Sequence, residues 1–259
     1  MSTQISTELI KELRDATGIS VMQCKRALEE ANGDMDKAVA ILKKTSADIA
    51  LKKADRVATD GAISVKTASG KTVLVVLHCE TDFVSRNDDF IKLLNDLTDK
   101  ALNEGVESMK QASKEMIDGV IQKTGEKVEL GDVYEVVGDT VDFYVHNPKN
   151  AVIVSLTGGN TELARDIAMH VAAMRPEYIT QDEISTDIKN TMNEIFEKEV
   201  ASIDKPEEIK KKMLEGKIAT YFKEKTLLDQ PFIKNGDETI SALLEKNKAQ
   251  IREVKRASI

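Results

Sequence analysis

The chain has 259 residues, 41% hydrophobic and 32% charged, the balance of a globular protein long enough to bury a sizeable core in one to three domains. Its formal net charge of -8 is the wrong sign for a protein whose main ligand is a phosphate backbone, so a protein partner or a small ligand is expected, without direct nucleic-acid binding. No apolar run approaches the roughly 18 to 20 residues of a membrane helix, and the opening MSTQISTELIKEL has neither a basic nor an apolar leader stretch, so a cytoplasmic protein off the membrane is expected.

Residues 5 to 55 read as short helices. Ile5, Leu9, Ile10 and Leu13 recur at helical spacing until Thr17-Gly18 breaks the pattern. A second helix carries Met22, Cys24, Ala27 and Leu28, and Asn32-Gly33-Asp34 supplies its end and the next start. A third carries Met35, Ala38, Val39, Ile41 and Leu42, and Lys52 to Arg56 reads as a polar linker. The period then changes to two. Ala62 to Lys66, a Ser69-Gly70 turn and Thr72 to Cys79 predict a hairpin with a buried second strand.

After the turn HCETDFVSRNDDF, Asn87, Asp88 and Asp89 open a helix whose apolar face is Phe90, Ile91, Leu93, Leu94 and Leu97, with helical spacing continuing to Lys123. The order then recurs: strands at Val133 to Val137, Val141 to Val145 and Ala151 to Leu156, a turn at Thr157 to Asn160, and a helix from Leu163 to Met174 before Pro176. This suggests two similar α+β subdomains. Residues 182 to 225 carry two apolar stripes, Ile184, Ile188, Met192, Ile195, Phe196 and Val200, then Ile209, Met213, Ile218 and Phe222, around Asp204-Lys205-Pro206. They predict an antiparallel helical hairpin that projects from the body. Gln230 to Ile233 begins an extended segment, Thr239 to Leu244 a short helix, and Ile251 to Ile259 a final strand.

The chemistry-bearing residues do not converge. Cys24 and Cys79 are the only cysteines and lie far apart, which encodes neither a disulfide framework nor a zinc finger. Ser69-Gly70-Lys71-Thr72 imitates the end of a phosphate-binding loop, but Val65 stands where that motif needs glycine, and the segment joins strand to strand. His78 and Cys79 are neighbours on a strand and point to opposite faces. His170, on an apolar helix, reads as a satisfied structural histidine. No catalytic residue, metal ligand or cofactor site is expected. Val21 and Met22, beside Lys25, and Phe83 admit two roles: packing under a turn, or contact with a partner.

The stretch Leu13 to Leu28 followed by Ala31-Asn32-Gly33-Asp34 resembles the N-terminal signature of translation elongation factor Ts. Cys79-Glu80-Thr81-Asp82-Phe83-Val84 resembles the second signature of that family, and Ile167 to Ala173 with Pro176 and Tyr178 the third, while Gln230-Pro231-Phe232 after the helical hairpin matches as well. Four motifs in family order are far more specific than any one. The resemblance implies a guanine-nucleotide exchange factor for the GTPase elongation factor Tu, with no active site for covalent chemistry. It implies an α+β fold with an N-terminal three-helix module like a ubiquitin-associated (UBA) domain, two similar α+β core subdomains and an antiparallel coiled-coil hairpin. The boundaries expected are 1–55 for the module and linker, 56–140 for the N-subdomain, 141–180 and 228–259 for the C-subdomain, and 181–227 for the hairpin.

By the same resemblance, Asp82 and Phe83 wedge into the G domain of the GTPase and disturb its magnesium and phosphate site, flanked by Thr81 and Val84. Arg14, Val21, Met22 and Lys25 map to the N-terminal contact surface, His146 to a core contact and Ile233 to a contact beyond the hairpin. A homodimer is left open, since the family includes dimeric and monomeric arrangements. Val76 and His78 stand where the family usually has Glu and Asn, Val21 where Met is common, and His146 precedes Asn-Pro-Lys-Asn in place of a glycine-rich turn. The chain also stops at Ile259 where the family typically continues, from which a shortened last strand is expected. A helical adaptor for ribosomal or chaperone partners, acting through the hairpin without exchange, is the rival reading; a small-molecule enzyme of the α+β core is disfavoured by the missing catalytic constellation.

Overall fold

A computed structural model describes residues 5–53 and 55–259 and divides into two compact units. The first runs up to Glu135 and includes Asn147–Lys149 and Ala257–Ile259; the second comprises Val136–His146 and Asn150–Arg256.

The first unit begins with three helices, α1 (Thr7–Thr17), α2 (Val21–Glu30) and α3 (Met35–Lys52). Each start has a side-chain cap: Leu9 N–H donates to Ser6 Oγ (3.2 Å), Gln23 N–H to Ser20 Oγ (3.4 Å) and Lys37 N–H to Asp34 Oδ1 (3.0 Å). Their inner faces bury Leu13, Cys24, Leu28, Ala38 and Leu42. Helix α3 continues past its last apolar-spaced residue, Leu42, and ends at Lys52, where the expected linker begins. Thr45 and Ser46 allow this by donating to the carbonyls one turn back, Ile41 (2.9 Å) and Leu42 (3.1 Å), so their polarity is satisfied without leaving the helix.

Strands β1 (Asp60–Ala68) and β2 (Lys71–Cys79) pair antiparallel from Asp60 opposite Cys79 to Ala68 opposite Lys71. The connecting Ser69 and Gly70 both have positive φ (51° and 74°), the backbone of a two-residue turn matched to strand twist, so the imitation phosphate loop is a hairpin turn. After β2 come α4 (Asp82–Ser85), α5 (Asp88–Glu104), α6 (Val106–Thr124) and β3 (Val128–Val137), with sheet order β1-β2-β3. Val73, Val75, Leu77 and Cys79 alternate onto the face that α5 covers with Phe90, Leu94 and Leu97. Leu74 and Val76 on the other face are buried too, which makes β2 the continuously apolar inner strand.

The second unit repeats the order. Strands β4 (Thr140–Asn147) and β5 (Asn150–Thr157) lead into α7 (Thr161–Met174), and after a long helical excursion the chain returns to the sheet, whose order is β4-β5-β8. The excursion is α8 (Thr186–Ala201) and α9 (Glu207–Lys225), followed by β6 (Pro231–Phe232), β7 (Asn235–Thr239), α10 (Ile240–Lys246) and β8 (Gln250–Ser258). The chain enters and leaves it side by side: Tyr178 N–H donates to Lys225 O (3.1 Å) and Leu227 N–H to Tyr178 O (2.8 Å). Along its length Lys217 meets Glu199 (2.7 Å), and the rings of Phe196 and Tyr221 meet edge to face at 5.5 Å. Ile184, Val200 and Phe222 of the predicted stripes are buried, whereas Ile188, Ile195 and Ile209 stay exposed, because a helix covers only one side of its neighbour. Among the described residues no helix is long and apolar enough to cross a membrane.

Candidate partner-binding surface

Phe83 is 83% exposed, whereas Phe90, Phe222 and Phe232 are buried and Phe143 and Phe196 are partly so, which excludes the packing role under the turn. The turn that presents it is a single helical turn, α4, entered from β2 and left through Asn87, whose Oδ1 accepts from Asp89 N–H (2.9 Å) and starts α5. Val84, next along, is 8% exposed and sits in the first core, so one residue points out because its neighbour points in. Ser85 Oγ donates to Asp82 O (3.2 Å), and the Asp82 carboxylate meets Arg86 at 3.2 Å, an exposed pair of small energetic worth.

The approach to the turn is bound tightly. Thr81 presents both its N–H (3.1 Å) and its hydroxyl (2.8 Å) to the carboxylate of Glu126, in the loop between α6 and β3. In return the Glu80 carboxylate accepts the Lys127 N–H (2.6 Å) and meets Arg56 (2.9 Å). The two dipeptides Glu80-Thr81 and Glu126-Lys127 thus hold each other reciprocally. The Lys127 N–H, opposed by burial and supported by Arg56, holds the Glu80 carboxyl below its ordinary range. Hydrogen bonds to ionised groups are worth about 1.5–3 kcal/mol each. Cys79 Sγ donates to Thr81 O (3.2 Å), and burial, then the charges of Asp60 and Glu126, push the thiol up to about 12, so it stays a donor. On the far side Asp60 takes Lys149 Nζ (2.5 Å).

The N-terminal residues divide by the same inside-outside logic. Val21 (48% exposed), Met22 (58% exposed) and Lys25 face outward from α2, while Cys24, Ala27 and Leu28 face the helical core. Arg14 is exposed on the last turn of α1, and Lys25 meets Glu29 at 3.8 Å. Between the helices Gly18 takes a left-handed conformation (φ 69°), and a Cβ there would lie 2.7 Å from the end of Lys123. Lys123 in turn pairs with Asp89 at 2.6 Å, beside the start of α5. The α1–α2 turn and the start of the helix after Phe83 therefore meet a common side chain.

In the second unit His146 is exposed near the end of β4, its Nδ1 3.4 Å from Tyr144 Oη. The Asn-Pro-Lys turn after it, which belongs to the first unit, needs no glycine: Lys149 N–H donates to Asn147 Oδ1 (2.8 Å) and Pro148 O accepts Ile63 N–H (2.7 Å). Ile233 is 45% exposed, and its N–H donates to Nδ1 of the fully buried His170 (3.2 Å). His170 Nε2 lies 2.9 Å from Gln230 Oε1, which assigns the neutral ring protonated at Nε2. Burial lowers the His170 pKa against the opposing Gln230 bond. Sequence patterning reads His170 as structural, and so it is; it does not reveal Glu126, which lies 45 residues from its partner and carries no motif of its own.

Comparison with known proteins places the chain in a family. The family described as "Elongation factor TS" matches residues 80–259, and the UBA-like domain matches residues 4–42. The elongation factor Ts of Hahella chejuensis is 38% identical over 254 residues, spanning 95% of this chain and 89% of that protein. That of Cellvibrio japonicus is 37% identical over 262 residues (98% and 90%), and that of Marinobacter nauticus 39% over 251 residues (93% and 86%). The chain belongs to the elongation factor Ts family of translation elongation factors.

Proposed function

We propose that the protein is a guanine-nucleotide exchange factor that binds elongation factor Tu and promotes release of its GDP. The observation that carries this reading is Phe83, exposed at the tip of a turn whose approach is hydrogen-bonded on both of its polar groups. Phe83 is the most exposed of the large hydrophobic side chains among the described residues, and an aromatic ring on a hydrogen-bonded mount fits insertion into a partner. Asp82 and Phe83 form the wedge, while Thr81 and Val84 fix it. Arg14, Val21, Met22 and Lys25 are the first anchor, and His146 and Ile233 contribute further contacts. The finer architecture belongs to the same reading: a UBA-like module at 1–55, similar α+β subdomains at 56–140 and at 141–180 with 228–259, and a coiled-coil hairpin at 181–227.

Exchange without chemistry is a reciprocal coupling. If factor and GDP each weaken the other's hold on the GTPase, the factor speeds release and is recovered unchanged. Shifting an equilibrium about 10⁴-fold takes roughly 5.5 kcal/mol of differential binding. Burying one phenylalanine supplies only about 1.5–3 kcal/mol. Phe83 therefore needs the anchors, whose binding free energy holds it against the nucleotide site.

The test is stopped-flow release of a fluorescent GDP from elongation factor Tu. The wild-type chain is expected to accelerate release and Phe83→Ala to lose most of that acceleration with its helicity intact. Gel filtration adds a second check: a complex that persists when GDP and magnesium are added belongs to an adaptor and overturns the exchange reading.

A further inference from the structure

We propose that Glu126 is a positioning residue for exchange, acting on the GTPase only through the aim of Phe83; this rests on the exchange reading above. Thr81 occupies the N-cap position of α4, where a threonine hydroxyl ordinarily accepts a helix N–H, yet it makes no such bond. Its hydroxyl donates to Glu126 Oε1 at 2.8 Å instead, while its N–H donates to Glu126 Oε2 at 3.1 Å. The two donors fix the orientation of the peptide immediately before Asp82 and Phe83, and a carboxylate is the side chain that can accept both at once. The Glu80 bond to Lys127 N–H holds the loop that carries Glu126, so the carboxylate is itself placed.

A helix of one turn without a side-chain cap has little intrinsic stability. Without the clamp, α4 is free to reorient while Val84 stays in the core, and Phe83, attached to that turn, loses its fixed direction. The wedge then still meets its partner, since the anchor residues on α1 and α2 are untouched, but meets it in many orientations.

The experiment measures fluorescent-GDP release from elongation factor Tu as a function of factor concentration, for Glu126→Gln and Glu126→Ala in the full chain, each in the wild-type and the Phe83→Leu background. Glu126→Ala is expected to lower the maximal release rate about tenfold and to leave the half-saturating concentration within about twofold, with a much smaller effect in the Phe83→Leu background, because residues acting as one unit are not additive. Glu126→Gln, which keeps one acceptor, falls between. If Glu126→Ala loses its circular dichroism, the nearly isosteric Glu126→Gln carries the same comparison. Equal losses in both backgrounds, or an unchanged maximal rate, overturn the positioning role and leave the exchange reading standing. A wild-type chain that does not accelerate release overturns both.

Discussion

At the scale of single residues, exposure and partnering separate side chains free to meet a partner from those that hold the fold. Phe83 touches little of its own chain, so Phe83→Ala should change unfolding free energy by no more than about 0.5 kcal/mol, as surface substitutions do, while exchange is largely lost. A denaturant titration run beside the release assay checks both halves. His170 makes the opposite case, being fully buried with both ring nitrogens engaged. Its folded pKa lies below the ordinary 6.5, so the unfolded chain binds the proton more readily. Its contribution is therefore complete above about pH 6.5 and lost as pH falls through the folded value. Melting temperature should drop on acidification below pH 6.5, and His170→Gln should be less stable at neutral pH but lack this particular drop. A wild-type melting temperature flat from pH 7.5 to 5 would contradict the assignment. Protonation also removes the acceptor for Ile233 N–H, so the same titration should loosen the segment around Ile233.

At the scale of elements, each helix and strand is positioned by what its inner face can bury. The three N-terminal helices have a small core, and Leu28 at its centre is fully buried. Leu28→Ala should cost about 2–5 kcal/mol, enough to open a module of this size by itself. Hydrogen exchange should then show α1 to α3 losing protection while the β1–β2 hairpin, which has its own core under α5, keeps it. Simultaneous loss in both would mean that they fold as one cooperative piece. Helix α3 is the link between them: Ser46 Oγ bonds Gln122 Oε1 (2.5 Å), Lys43 meets Glu115 (2.6 Å), and Ile49 packs on the first core.

At the scale of the whole molecule, the exchange reading assigns affinity and aim to different parts of the chain. Met22 and Phe83 belong to the same compact unit, so binding at one can be transmitted to the other through packed elements. Met22→Ala should raise the factor concentration needed for half-maximal exchange several-fold and leave the maximal rate nearly unchanged, the reverse of the expectation for Glu126→Ala. Equal affinity of Met22→Ala and wild type for elongation factor Tu would remove the anchor role.

The amino-acid sequence by itself determined the local part of this protein. The 3.6 and 2 periodicities, the caps at Asp34 and Asn87 and the Ser69-Gly70 turn are set by neighbours a few residues apart, so most of the helices and the first hairpin are legible from spacing alone. The motifs around Met22 and Phe83 were legible as words, and they carried the family. Spacing could not say whether Phe83 faced in or out, since one turn of helix at the end of a strand can place either Phe83 or Val84 in the core. Nor does apolar spacing, which stops at Leu42, mark the end of α3, which back-bonded Thr45 and Ser46 help to carry on to Lys52. Only the tertiary structure brought Glu126 to Thr81 and His170 to Ile233, across 45 and 63 residues. Hydrogen bonds of that kind depend on where two distant backbones come to rest, and no local pattern records it.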